Sequence, residues 1–283
     1  MRFAKYQGVG NDFVMLADPQ DRIEISAPVA RALCDRRFGI GADGVIRIAP
    51  SERADFFMDY VNSDGSLGEM CGNGIRCLAL YAREQGLTSA SELSVDTRAG
   101  TKHLSILSEG QVRVDMGAPA FAPGEIPVSW PGTDALHAKV ELEEGVVEVA
   151  CVSMGNAHAV SFVDDPDQIA VEVVGPRIET HEMFPRMTNV EFAVVESPNR
   201  VRMRVWERGS GQTLACGTGA CAVAVAAHLL RDTSDKMTIV LPGGELEVEW
   251  PGSLDDARSV VMTGPAVKVF EGDIDLDQFK DRE

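Results

Sequence analysis

The feature that most constrains this chain is that it says nearly the same thing twice. Cys-Gly-Asn-Gly begins at Cys71, and Cys-Gly-Thr-Gly begins 145 residues later at Cys216. Gly10-Asn11 and Gly155-Asn156 each lead into an apolar segment and keep that spacing, as do Met58 and Met203 inside FFMDYV and VRMRVW. Gly117-Ala118-Pro119 is echoed by Gly264-Pro265 at an offset of 147. One short motif repeats cheaply by chance, but a shared offset over several landmarks marks duplicated halves. With 283 residues there is chain enough for two domains of ordinary size. The expected division is residues 1–117 as the half carrying Cys71 and residues 118–263 as the half carrying Cys216. Residues 264–283 are expected to form a final strand and tail that return to the first half.

Each half reads as short strands around one helix. VRMRVW (201–206) and ELEVEW (245–250) alternate strictly, as does QVRVDM in the first half, the pattern of half-buried strands. After Thr218 the run GACAVAVAAHLLRD has no polar face for three turns, so its helix belongs inside a domain. IRCLALYAREQG is its counterpart, with Gly86 placed to stop it. The expected fold is therefore α/β (α+β): two pseudo-symmetric halves, each a mostly antiparallel sheet curled round a central helix. The Pro/Gly-rich stretch Ala118–Gly132 reads as the linker.

A net charge of −18 argues against nucleic acid and anionic membrane surfaces as partners. No stretch approaches the roughly 20 apolar residues of a membrane helix, and no secretory leader is visible in MRFAKYQGVGNDF. The expected place is the cytoplasm. Six cysteines (Cys34, Cys71, Cys77, Cys151, Cys216 and Cys221) are too few for a disulfide scaffold at this length, and the gaps within Cys71/Cys77 and Cys216/Cys221 are not those of zinc pairs. Free thiols and no metal are expected.

Cys71 and Cys216 each stand immediately before Gly-x-Gly where a helix begins. Such a helix start offers free N–H groups and partial positive charge, which bind anions and lower a thiol pKa. Two such starts facing each other would hold one carboxylate with a sulfur on either side. A thiolate on one face then removes an α-proton and a thiol on the other returns one, inverting the centre. No lysine anchor for pyridoxal phosphate is evident, so the charge of the carbanion is expected to be met electrostatically, without a cofactor, in a closed cleft between the halves. Cys34, Cys77, Cys151 and Cys221 have no support from the repeat and read as core.

GVGNDFV (8–14), GIGADG (39–44), NSDGSLGEMCGNGIRC (62–77), MGNAHAV (154–160), TNVEF (188–192) and WERGSGQTLACGTGACA (206–222) together resemble the diaminopimelate epimerase family, in order along nearly the whole chain. The resemblance implies interconversion of L,L- and meso-diaminopimelate, a step towards lysine and peptidoglycan, by a homodimer acting on this small molecule. It implies Cys71 and Cys216 as the acid/base pair. Asn11, Asn62, Asn156, Asn189 and Arg208 are the implied substrate contacts, with Gly72-Asn73 and Gly217-Thr218 offering backbone donors. Amides, a carboxylate and a guanidinium fork suit a substrate with two amino-acid ends. Glu207 could accept from an ammonium and, with His158, tune the cysteines. Gly44 departs from the pattern, since some members carry there a glutamine that contacts the ligand; Gln212, where glutamate is frequent, is a lesser departure.

The nearest rival is a proline racemase-like enzyme, which usually has His where Asn73 stands; Asn73 and Glu207-Arg208 favour the first reading. A redox-switched binding module would leave the Asn/Arg/Glu set without a purpose. Cysteine acyl transfer would leave the second cysteine unexplained.

Overall fold

The computed structural model describes residues 1–280 except 109 and 144. The chain divides into two compact units, Met1–Val114 with Gly264–Glu283, and Asp115–Thr263. In the first lie β1 (Arg2–Gly8), β2 (Asn11–Ala17), α1 (Ala27–Cys34), β3 (Gly44–Ala49), β4 (Phe56–Asn62), α2 (Gly72–Glu84), β5 (Glu92–Thr97), β6 (Gly100–Ile106) and β7 (Gln111–Gly117), whose last residues enter the second unit. The second holds β8 (Ala138–Leu142), β9 (Gly145–Ser153), β10 (Ala157–Phe162), α3 (Val171–Glu179), β11 (Asn189–Ser197), β12 (Arg200–Glu207), β13 (Gly211–Thr213), α4 (Gly217–Leu230), β14 (Lys236–Leu241), β15 (Gly244–Glu249) and β16 (Val260–Pro265), whose last two residues enter the first unit. The last strand, β17 (Val267–Asp273), pairs antiparallel with β1 and so belongs to the first unit.

Strand order in the first unit is β17-β1-β2-β3-β4-β5-β6-β7, with β2–β3 and β4–β5 parallel and the other pairs antiparallel. In the second it is β8-β9-β10-β11-β12-β14-β15-β16, with β10–β11 and β12–β14 parallel. The two orders match strand for strand, and β17 takes in the first unit the place that β8 takes in the second. Register repeats as well: Phe13 opposes Gly44, and His158 opposes Asn189, each 145 residues further on. The fold is sheet-dominated α/β, as the alternating strands imply.

Sequence explains why each sheet curls round a helix. α4 is buried from Gly219 to Ala227, since alanine and valine on every face leave it nothing to show to water. It lies against β9, β10, β11, β12, β14 and β15. α2 lies against β1, β2, β3, β6 and β17. Here the side chains are larger, and Arg76 is wholly buried within them. Its guanidinium is satisfied by the Gly72 carbonyl at 3.0 Å, Asn73 Oδ1 at 3.0 Å and the Pro265 carbonyl at 3.2 Å. A charge so deep is tolerated only because these acceptors replace its water. The contact also fixes the returning chain before β17 to the start of α2.

The Pro/Gly-rich stretch is not an open linker. Ile126, Val128 and Ala135 belong to one apolar core with Val149, Ala159 and Phe192, and Ala120 bridges Ser153. Its apolar residues, spaced among the prolines, supply a lining for the second sheet. Among the described residues, no helix is long and apolar enough to cross a membrane.

Candidate active site

Cys71 and Cys216 have nearly the same local backbone. Each is the N-cap of its central helix in extended conformation (φ −136°, ψ 116° and φ −127°, ψ 113°), and each sulfur accepts from an amide three residues on. Gly74 N donates to Cys71 Sγ and Gly219 N to Cys216 Sγ, both at 3.4 Å. A cysteine thus performs the capping usually done by Ser or Asp, and its sulfur is held at the positive end of the helix. Gly10 and Gly155, with φ of +85° and +89°, turn the chain into β2 and β10, so that Asn11 opens β2 and Asn156 stands immediately before β10.

In the first unit the structure joins Asn11, Cys71 and Asn73. Asn11 Oδ1 lies 3.6 Å from Cys71 Sγ and 3.4 Å from Asn73 Nδ2. Asn11 Nδ2 donates to Asp43 Oδ2 at 2.7 Å. Asp43 belongs to a cluster with Asp12, Arg36 and the buried Lys5, in which Lys5 Nζ is 2.9 Å from Asp12 and Arg36 forks onto Asp12 at 3.0 and 2.9 Å. Asn62 ends β4, where it opposes Gly44 and donates to Ser66 Oγ at 2.9 Å. Gly72 and Asn73 open α2 and are buried. Gly44 has no room for a glutamine: a Cβ there would stand 2.5 Å from the Tyr60 ring and 2.8 Å from the Val61 carbonyl.

In the second unit Cys216, Thr218, Asn156, His158 and Glu207 come together. Thr218 Oγ1 is 3.5 Å from Cys216 Sγ and 3.3 Å from Asn156 Nδ2. His158, fully buried, has Nε2 3.0 Å from Asn156 Oδ1 and Nδ1 2.7 Å from Glu191 Oε1. Glu207 accepts a hydrogen bond from Thr213, and its charge acts on the Cys216 thiol. Asn189 and Arg208 form a second pair: Asn189 Nδ2 donates to the Ala157 carbonyl at 2.8 Å, and its Oδ1 accepts from Arg208 N at 2.9 Å. The Arg208 side chain is exposed and makes one 3.3 Å bond to the Arg186 carbonyl. Gly217 is buried at the start of α4.

Sequence reasoning missed Glu191 and Asp43. The repeat carries a signal for the first, because the offset of 145 sets His158 against Phe13 and Glu191 against Ile46. A hydrogen-bonded polar pair in the second unit stands where the first has two apolar residues. The same offset pairs Asn62 with Glu207 and Gly44 with Asn189, so most of the expected site positions are related by the duplication.

Electrostatics correct one expectation. A helix start should lower a thiol pKa, but Cys216 is pushed well above its ordinary value, first by burial and then by Glu207 and Glu191, against the lowering bonds from Thr218 and Gly219. Desolvation and two carboxylates outweigh the helix. Glu207 is itself raised, chiefly by burial. The thiol and the carboxyl are therefore neighbouring groups that burial makes reluctant to ionise. Cys34, Cys77 and Cys151 are each pushed up to about 12 by burial, consistent with inert core thiols. All six cysteines are free. Among the described residues no cluster of His, Cys, Asp and Glu could hold a metal ion.

Residues 3–122 and 150–269 match the family model of diaminopimelate epimerase. A diaminopimelate epimerase from Acetivibrio thermocellus is 46% identical over 282 residues, covering 98% of this chain and all (100%) of that protein. One from Moorella thermoacetica is 48% identical over the same shares, and one from Methanococcus maripaludis 43%. Among solved structures, a hydroxyproline epimerase from Agrobacterium vitis has a TM-score of 0.71 at 15% identity, covering 97% of this chain and 90% of that one. A probable proline racemase from Agrobacterium radiobacter has a TM-score of 0.72 at 15% identity, covering 99% and 94%. At that identity the solved structures share the fold alone.

Proposed function

The chain belongs to the diaminopimelate epimerase family, and we propose that it inverts one α-carbon of diaminopimelate with Cys71 and Cys216 as its two proton-transfer groups. Members of this family are isomerases that interconvert L,L- and meso-diaminopimelate, in lysine and amino-acid biosynthesis. The observation that carries the residue assignment is the duplicated cap: two sulfurs, each fixed by an amide hydrogen bond at the start of a buried helix. Inversion needs one group that removes the α-proton and another that returns a proton from the opposite face, and a duplicated thiol supplies both.

As one thiolate takes the α-proton, negative charge grows on the substrate α-carboxylate. The first amides of α2 (Gly72-Asn73) and α4 (Gly217-Thr218) are the donors assigned to that carboxylate, and each carries the partial positive charge of its helix end. For Cys216 the proton is handed to Glu207, whose burial raises its own affinity for it. The pair then holds one negative charge before and after transfer, so forming the thiolate moves a buried charge rather than creating one. His158, fixed by Glu191, bonds Asn156 and through it Thr218. Asn11, Asn62, Asn156 and Asn189 are assigned to the polar groups of the substrate, with the Arg208 guanidinium for the distal carboxylate.

A homodimer in the cytoplasm belongs to the same proposal, supported by the family, the acidic surface and the free thiols. Substrate choice is tested by assaying purified protein with L,L-diaminopimelate, L-proline and 4-hydroxyproline, following optical rotation. Turnover of diaminopimelate alone is expected. Turnover of either imino acid, with none of diaminopimelate, contradicts the reading.

A further inference from the structure

Asn11 and Asn156 occupy equivalent places in the repeat, yet their amides are held by different kinds of partner. A primary amide has an acceptor end and a donor end, and the end that faces a sulfur decides which protonation state is favoured. An oxygen accepts from S–H and repels S⁻, whereas an NH₂ group stabilises S⁻.

Asn11 has no choice of orientation. Its Nδ2 donates to Asp43 Oδ2 at 2.7 Å. Both oxygens of Asp43 act as acceptors, Oδ2 also from the Asp12 amide at 3.1 Å and Oδ1 from Arg36 Nη2 at 2.7 Å. Turning the Asn11 amide over would set oxygen against oxygen. Its Oδ1 is thus the end presented to Cys71 Sγ at 3.6 Å. Asn156 is held by His158 Nε2 at 3.0 Å and Thr218 Oγ1 at 3.3 Å. Imidazole Nε2 and hydroxyl can each donate or accept, so neither partner fixes this amide in the way that Asp43 fixes Asn11.

We propose that Asp43 is a positioning residue that locks Asn11 with its carbonyl oxygen on Cys71, so that the substrate-free protein holds Cys71 as the thiol, the proton donor of the pair. The catalytic meaning of this lock rests on the two-cysteine reading above; the lock itself does not. Donors and charges around the same group include the Gly74 amide at 3.4 Å, Asn73 Nδ2, which donates to Asn11 Oδ1 at 3.4 Å, the Arg76 guanidinium bonded to Asn73 Oδ1 at 3.0 Å, and the Lys5, Asp12 and Arg36 charges around Asp43. These remain when Asp43 alone is changed. The first unit is therefore set in one protonation polarity, whereas in the second, among the described residues, no carboxylate holds the Asn156 amide directly.

The test is the rate of iodoacetamide alkylation at Cys71 across pH, resolved by peptide mass spectrometry, with Cys216 as internal reference. Asp43→Asn keeps the shape but lets its neighbour turn over. Alkylation of Cys71 near neutral pH is expected to rise about tenfold, the effect of one unit in thiol pKa, with Cys216 unchanged. Losing a negative charge alone would also speed alkylation, so the same change is made in an Asn11→Ala background. There the lock has nothing to act on, and Asp43→Asn is expected to add less than about twofold. An undiminished rise in the Asn11→Ala background, or no rise in Asp43→Asn itself, overturns the proposal. Asp43→Ser makes the same comparison if Asp43→Asn does not accumulate as folded protein. Alkylation needs no turnover, so failure of the epimerase reading would show in the diaminopimelate assay and leave this result standing.

Discussion

Cys71→Ala and Cys216→Ala each remove epimerisation while leaving the fold in place. General acid–base groups contribute about 10²–10⁴-fold, and the sole group that serves one face of the reacting carbon belongs at or beyond the upper end. A surviving thiol cannot substitute, because inversion requires transfer on both faces of one carbon. Structural damage is expected to be small by comparison. Each substitution loses the sulfur that accepts from Gly74 N or Gly219 N, a cap worth about 1 kcal/mol. Turnover on L,L-diaminopimelate and a thermal melt of each variant separate the two effects. Cys77→Ala and Cys221→Ala, in the same helices but with fully buried side chains, are the controls and keep their activity. Near-normal turnover in either Cys71→Ala or Cys216→Ala contradicts the assignment.

Gly219→Ala is expected to lower kcat by about 10²-fold or more, and Gly74→Ala to do little, although the two glycines are equivalent in the repeat. Alanine inside a helix is ordinarily favoured over glycine by about 1 kcal/mol, so surroundings decide the sign. At Gly219 a Cβ would meet Glu191 Oε1 at 2.7 Å and Cys216 Sγ at 3.3 Å. Glu191 is tied to His158 and cannot retreat without breaking that 2.7 Å bond, so the sulfur or the helix start must move. Displacing a reacting group by about 1 Å costs on the order of 10²-fold. At Gly74 the corresponding contacts are Ile46 Cδ1 at 2.6 Å and Met58 Cε at 3.1 Å, the far ends of flexible side chains that can turn aside. Steady-state kinetics of the two variants check this; equal losses would mean that the Glu191–His158 pair does not hold the sulfur in place.

How much of this was legible in the sequence depends on what kind of contact was involved. The duplication was readable because turns and caps demand particular residues: glycine with positive φ at Gly10 and Gly155, and Cys-Gly-x-Gly where two helices begin. The central position of α4 followed from its composition alone. Contacts across a parallel ladder were not readable, because the partner of a strand residue is unknown until register is fixed. Asp43 and Glu191 sit in quoted motifs, yet their roles depend on β3 lying beside β2 and β11 beside β10. The direction of the Cys216 shift failed for the same reason. A helix start is visible locally, whereas the carboxylates that oppose it come from β11 and the end of β12. The proline-rich stretch misled because composition reports turns but not that Ile126 is buried among them.

The central claim is that two thiols share one inversion, and hydrogen exchange at the α-carbon tests it most directly. The reaction is started from L,L-diaminopimelate in deuterium oxide and stopped at low conversion, and both isomers are separated and examined by mass spectrometry. With two groups, the thiolate that removes the proton can return only that proton to the face it came from, while the opposite thiol delivers deuterium already exchanged from solvent. The meso product therefore carries deuterium at its inverted carbon, and the recovered L,L substrate remains protonated. Deuterium entering the L,L substrate as fast as the product, the pattern of one group serving both faces, would contradict the account.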